Sequence, residues 1–396
     1  MKLNRLCFLL AAFGAAMTVH ADLASLFTNV NANARTVRPR LPSIIFIQCH
    51  DLAPGDLSCY GQTNFQTPNL DRIAASGIRF THYSGGEDSA ATTAQLLAGT
   101  ISAPAAGEPN LAQRLQAGGY HTGLIGEWSQ AGQPWRLGFD EFAGFLDDAE
   151  GRSYYPDYIW RYDPTGIYTN NHAEPFVGRR MVFDAQGNTG RTYLPDLFTK
   201  AMVNYVKNNT PNSANHHRPF FLLVDFPAPR TAAAGADVFP VPSDAPFTEE
   251  PWPQAAKNRA ALITRLDDNL GRLFEQLAKS RMTNNVAIFF AGSSAPEKFA
   301  DTNLNFLLPA AQFRDAQKPA PQNLPLLAIW PGWIPPGQVA NLSVSPLDIA
   351  PTALDIAWMK PVPEFAGISL LPLLEGLKGT NLPAVLERRL GQAQGF

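Results

Sequence analysis

The chain has 396 residues, a formal net charge of -3 and 16% charged residues. A charge so near zero argues against nucleic acid or an anionic membrane surface as a partner. The hydrophobic share of 45% is that of a globular protein and suffices for one large α/β domain or two ordinary ones. Lys2 and Arg5 precede an apolar run from Leu6 to Val19, and Val19-His20-Ala21 offers a small-residue cleavage site. Residues 1–21 therefore read as a secretory signal peptide, with export to the periplasm or beyond; a buried N-terminal helix is the other reading. The run falls short of the ~20 residues of a membrane span, and no later segment looks transmembrane. Residues 22–396 read as one domain with its core over about 41–376. Cys49 and Cys59 can form a disulfide or stay as thiols, and the absence of a CxxC pattern argues against a zinc-thiolate site.

Ser43 to Cys49 (SIIFIQC) is a short branched run that predicts a strand buried on both faces. Thr67-Pro68-Asn69 opens a helix in which Thr67 is the expected cap and Gly77 the stop. Helices are expected from Ser89 to Leu97 and from Asn110 to Ala117, then a strand from Tyr120 to Gly126. The stretch from Gly144 to Tyr193, rich in aromatics and turn residues, reads as an ordered surface excursion. Its aromatics between Tyr154 and Tyr162 either pack the loop or stack on a sugar. A helix from Leu194 to Asn208 and a strand from Pro219 to Phe226 follow. The longest helix spans Ala255 to Lys279, with Leu262, Leu266, Leu270, Leu273 and Leu277 as a stripe toward the sheet. Asp267 and Asp268 on it read as solvated or as partners in caps and i,i+4 pairs. Val286 to Ala291 and Leu324 to Trp330 are the last predicted strands. The alternation of strand and helix predicts a mostly parallel sheet with helices on both faces.

In such sheets, sites form beyond the carboxyl ends of the strands. That rule selects His50 and Asp51 after the first strand, and Glu127 and Ser129 after the second. It also selects Arg230 after PFFLLVDF, and Gly292, Ser293 and Ser294 after VAIFFA. The helix beginning near Ser89 can aim its free N–H groups at the same region, a setting that favours an anion.

The segments IIFIQCHDLAPGDLSCYG, TPNLDRIAASGIRF, QLLAG, GYHTGLIGEW, GFDEF, PFFLLVDFPAP, LDDNLGRL, WPGWIPPG and SLLPLLEG occur in this order. Together they resemble the bacterial arylsulfatase-type sulfatase family of the alkaline phosphatase superfamily, over most of the chain after residue 40. The resemblance implies a formylglycine nucleophile made within a C/S-x-P/A-x-R motif. It also implies a calcium ion held by three Asp and an Asn or Gln, and Lys, His and Arg around the sulfate. The nucleophile position falls on Ser89, and the motif arginine on Thr93. The paired metal carboxylates fall on His50 and Asp51, and the distal metal pair on Gly292 and Ser293. The sulfate-binding cations fall on Glu127, Ser129, Arg230 and Arg314.

Measured against that pattern the chain reads as a degenerate member. Calcium takes six to eight oxygens, several of them charged, and these positions retain the single carboxylate of Asp51; no bound cofactor is expected. His50-Asp51 reads as a hydrogen-bonded pair or as a remnant that imidazole would suit to zinc or copper. Ser89 reads as a nucleophile or a helix-capping serine. Arg230 and Arg314 either hold an oxyanion, or one of them pairs with Glu127 and fills the cleft. About twenty residues follow SLLPLL, too few for the small antiparallel subdomain that the resemblance implies. The expectation is a pseudo-sulfatase that binds an anionic or sulfated glycan or a protein partner. The alternative is an active sulfuric or phosphoric ester hydrolase that uses Ser89 with an atypical metal site.

Overall fold

The run SIIFIQC forms β1 (Ser43–Cys49), and its neighbours in space decide where a site can lie. The computed structural model describes residues 41–101, 107–164, 176–210, 218–232, 238–297, 306–309, 312–313, 323–377 and 386. The signal-peptide stretch 1–21, Arg314 and most of the chain after 377 lie outside these residues. After β1 come α1 (Pro68–Ser76), β2 (Ile78–Ser84), α2 (Ser89–Ala98), α3 (Leu111–Ala117), β3 (His121–Glu127) and β4 (Glu141–Phe145). The next elements are α4 (Asp148–Gly151), β5 (Tyr158–Asp163), β6 (Phe176–Met181), α5 (Leu194–Asn208) and β7 (Phe220–Phe226). The described chain ends with α6 (Gln254–Lys279), β8 (Val286–Gly292), β9 (Asn323–Ile329), β10 (Gln338–Val344), α7 (Ile349–Ile356) and α8 (Leu371–Leu374).

The strands make one ten-stranded sheet in the order β10-β2-β9-β8-β1-β7-β3-β4-β5-β6. The middle block β8-β1-β7-β3-β4 is parallel. Antiparallel pairs lie outside it, at β8-β9, β9-β2, β4-β5 and β5-β6. Ile44 and Phe46 of β1 point into one core, with α2, α3 and α7 above them. Ile45 and Ile47 point into the other, with α1, α5 and α6. Covering both faces is why the central strands are apolar throughout rather than alternating. Of the leucine stripe on α6, Leu266, Leu270, Leu273 and Leu277 enter the second core. Leu262 packs instead with Tyr154 and Tyr193.

One local expectation changes, and of the two readings open to Asp267 the structure adopts the cap. Thr67 makes no side-chain cap on α1, because its hydroxyl is held by Ser58. Pro68 brings no N–H, so Asn69 and Leu70 carry the first free donors of that helix. Asp267 of α6 accepts both, at 3.0 and 2.8 Å. Asp267 is thus buried and not solvated, while Asp268 beside it is exposed. The excursion after Gly144 contains the edge strands β5 and β6. Its aromatics pack within the protein: Tyr154 stacks on Tyr193, and Tyr162 on Trp135, which lies before the excursion. Cys49 and Cys59 are free thiols.

Candidate active-site cleft

Register brings the strand ends together. Cys49 pairs with Phe226 on one side and with Gly292 on the other, and Gly126 pairs with Asp225. The residues just beyond β1, β3, β7 and β8 therefore share one end of the sheet. Ser89, at the start of α2, reaches the same place.

Asp51 has a φ of 55°, in the left-handed region that costs a side-chain-bearing residue about 1–2 kcal/mol. Three contacts fix it there. Its N–H donates to Ser294 Oγ at 2.9 Å, the Ser294 hydroxyl donates to Asp51 Oδ1 at 2.8 Å, and Arg259 donates to the Asp51 carbonyl at 2.7 Å. Arg259, wholly buried in α6, also forms a two-pronged pair with Asp56 and bonds the carbonyl of Pro229. It ties the loop after β1 to the loop that carries Arg230.

Ser89 Oγ lies 2.8 Å from Ser294 Oγ and accepts from Ser293 Oγ at 3.0 Å. It does not cap α2: Asp88 precedes it, is extended, and accepts from Ala91 N at 2.7 Å. A hydroxyl chain thus runs from Ser89 through Ser294 to the Asp51 carboxylate. Thr93 accepts from the Gln48 amide at 2.5 Å and donates to the Ser89 carbonyl at 2.9 Å, one turn back. Gly292 closes β8 and offers no side chain, so Ser293 and Ser294 are the residues that face the site from that strand.

His50 Nε2 is 2.8 Å from Asp225 Oδ1, and both side chains are buried. Burial works against the charged imidazolium, but Asp225 and Glu127 outweigh burial and the repulsion of Arg230, so the His50 pKa is raised. Glu127 and Arg230 meet at 2.6 Å, with side chains 2% and 6% exposed. Ser129 donates to the other Glu127 oxygen at 2.6 Å. Arg230 also bonds Asp148 of α4. Burial lowers its pKa, yet Glu127 and Asp148 more than restore it. A Cβ on Gly151 would stand 2.1 Å from Glu127 Oε2 and 3.0 Å from Arg230 Nη2, so α4 can cover the pair only with glycine there. Of the two arrangements open to Arg230, the side chains adopt the internal ion pair.

This end of the sheet therefore gathers Ser89, Thr93, His50, Asp51, Glu127, Ser129, Arg230 and Ser293. Among the described residues no three His, Cys, Asp or Glu side chains stand together as metal ligands. Asp225, Gln48, Arg259 and Asp148 also belong to the site, and none of them lies just beyond a predicted strand, where the strand-end rule looks. The first two carried a signal: a carboxylate and an amide within otherwise apolar strands need partners.

The family model described as Sulfatase matches residues 42–359. Human N-acetylgalactosamine-6-sulfatase is 27% identical over 381 residues, covering 85% of this chain and 67% of that protein. Among solved structures, BT4656 in complex with its substrate D-glucosamine-2-N,6-O-disulfate aligns with a TM-score of 0.61 at 20% identity, covering 85% of this chain and 80% of that one. The phosphonate monoester hydrolase of Agrobacterium radiobacter aligns with a TM-score of 0.55 at 17% identity, covering 86% and 79%. No helix among the described residues is long and apolar enough to cross a membrane. With the family model covering most of its length, the chain belongs to the sulfatase family.

Proposed function

We propose that this chain is an exported pseudo-sulfatase: a sulfatase-family protein that binds through its cleft but does not turn over sulfate esters. One observation carries the reading. Arg230, which could receive a sulfate, is already neutralised by Glu127 inside the protein. To free it, Glu127 would be left as an unpaired buried charge, a cost of about 3–5 kcal/mol. Removing one preorganised donor from such a site costs about 3–4 kcal/mol of transition-state stabilisation, and here an anion stands at the Glu127 position.

The donors near Asp51 suit calcium poorly. Ser294 holds Asp51, Asp225 is held by His50, and Glu127 by Arg230. Ser293 and Ser294 bring neutral hydroxyls where calcium favours carboxylates. The bound molecule, in this reading, is an anionic or sulfated glycan or a protein partner; the fold neighbour that holds a sulfated amino sugar favours the glycan.

The hydroxyl chain from Ser89 to Asp51 favours a second reading, an ester hydrolase that uses Ser89 on a different plan. A panel of sulfated and phosphorylated sugars and aryl esters separates the two. The expected result is no sulfate or phosphate release above that of Ser89→Ala. Release that disappears in Ser89→Ala would overturn the pseudo-sulfatase reading.

A further inference from the structure

The Asp148 carboxylate sits between two guanidinium groups from separate parts of the chain. Arg230, after β7, bonds one oxygen. Arg152 donates from Nε to the other at 2.8 Å. Two arginines closing on one carboxylate make the arrangement in which guanidinium groups hold sulfate, phosphate or carboxylate oxyanions. Here the oxyanion is the chain's own.

The two carboxylates on Arg230 differ in access. Glu127 is buried and held from below by Ser129, whereas the Asp148 side chain is 54% exposed. Asp148 belongs to a helix of four residues. Burial would raise its pKa, but Arg152 and Arg230 outweigh burial and hold it below the usual carboxylate range. Arg230 Nε is buried and has no acceptor among the described residues, so the guanidinium keeps an N–H for which Glu127 and Asp148 supply no oxygen. Buried donors left in this way ordinarily find a partner.

We propose that Asp148 is an internal stand-in for the oxyanion of an external ligand, and that a sulfate-bearing molecule enters by displacing Asp148 from Arg230 and Arg152. The inference rests on the reading of the cleft as a binding site. It adds what occupies the cleft at rest, and it assigns Arg152 to the site.

The test is calorimetric titration of the full-length mature protein with sodium sulfate and, separately, with a 6-sulfated amino sugar, against chloride at matched ionic strength. Asp148→Asn keeps the shape and removes the competing charge. It is expected to bind sulfate about tenfold tighter than the wild type, equivalent to about 1.4 kcal/mol. Asp148→Asn combined with Arg230→Met is expected to lose that gain. Asp148→Ser serves as a second opening variant, and melting curves verify that each variant is folded. Equal gains for both probes support the oxyanion as what Asp148 imitates; a larger gain for the sugar supports a site that extends to the ring. No gain in two folded opening variants overturns the proposal. So does a gain that survives the loss of Arg230, since the anion would then sit elsewhere. Sulfate release by the wild type would instead strike at the pseudo-sulfatase reading and leave the displacement of Asp148 to be judged by the titrations alone.

Discussion

His50 stands where the family resemblance implies a metal carboxylate, and it has gained a carboxylate of its own in Asp225. The pair is buried, and Glu127, Arg230 and Asp148 are its charged surroundings. Because the folded pKa of His50 lies above its ordinary value of 6.5, the stabilisation from its proton is fully present below pH 6.5. It is lost as pH rises through the folded pKa. The wild type is therefore expected to lose stability relative to His50→Asn as the pH is raised above 6.5, measured by urea unfolding at each pH. A flat difference would mean that His50 does not titrate with Asp225. His50 was visible in the sequence because positions after a strand are where sites form. Asp225 was not, because it lies inside PFFLLVDF and was absorbed into an apolar run. Gln48 was hidden in the same way. Ser294 stands among the strand-end residues that the sequence selects, and the Ser293 and Ser294 hydroxyls reach Ser89 and Asp51.

At the scale of elements, α1 depends on α6 for its start. Asp267 accepts two backbone N–H groups of α1 and the Asn69 amide. Burial still pushes its pKa up to about 6, so these bonds only partly replace lost water. Asp267→Ala is expected to destabilise the protein by about 1–2 kcal/mol, the usual scale for losing a cap. Asp267→Asn, which keeps one acceptor oxygen, should cost less; chemical denaturation of the two variants checks the order. This contact joins residues almost 200 positions apart, and no local pattern announces it. The elements themselves were largely legible: β1, α1, α2, α5, β7 and α6 follow the apolar periodicity to within a residue or so. What escaped were the strands β2, β4, β5, β6 and β10 and the helices α4, α7 and α8. Edge and near-edge strands carry mixed patterns such as IRFTHYS and FVGRRM, where one face is half-exposed. Such patterns do not stand out from loops by hydrophobicity alone.

Across the whole molecule, the cleft lies at the meeting of β1, β3, β7 and β8, where an ion could tie four loops together. In this chain, side chains already perform that task. Arg259 links the loops after β1 and β7, and Arg230 links the ends of β7, β3 and α4. Ser294 links β8 to Asp51. If these bonds replace an ion, folding should be indifferent to calcium. A protein that binds an ion only when folded gains about 4 kcal/mol at a thousand times the dissociation constant, which moves a melting curve by several degrees. Melting the chelator-stripped protein in millimolar calcium, and again with chelator in excess, is expected to give the same midpoint to within about 1 °C. Zinc is the second ion to try, because imidazole at position 50 suits it better. A saturable rise of several degrees with either ion, lost in Asp51→Ala, would show that Asp51 belongs to a working site after all. The Ser89 hydroxyl chain would then lead to a metal-bound carboxylate, and the hydrolase reading would take precedence over the binding one.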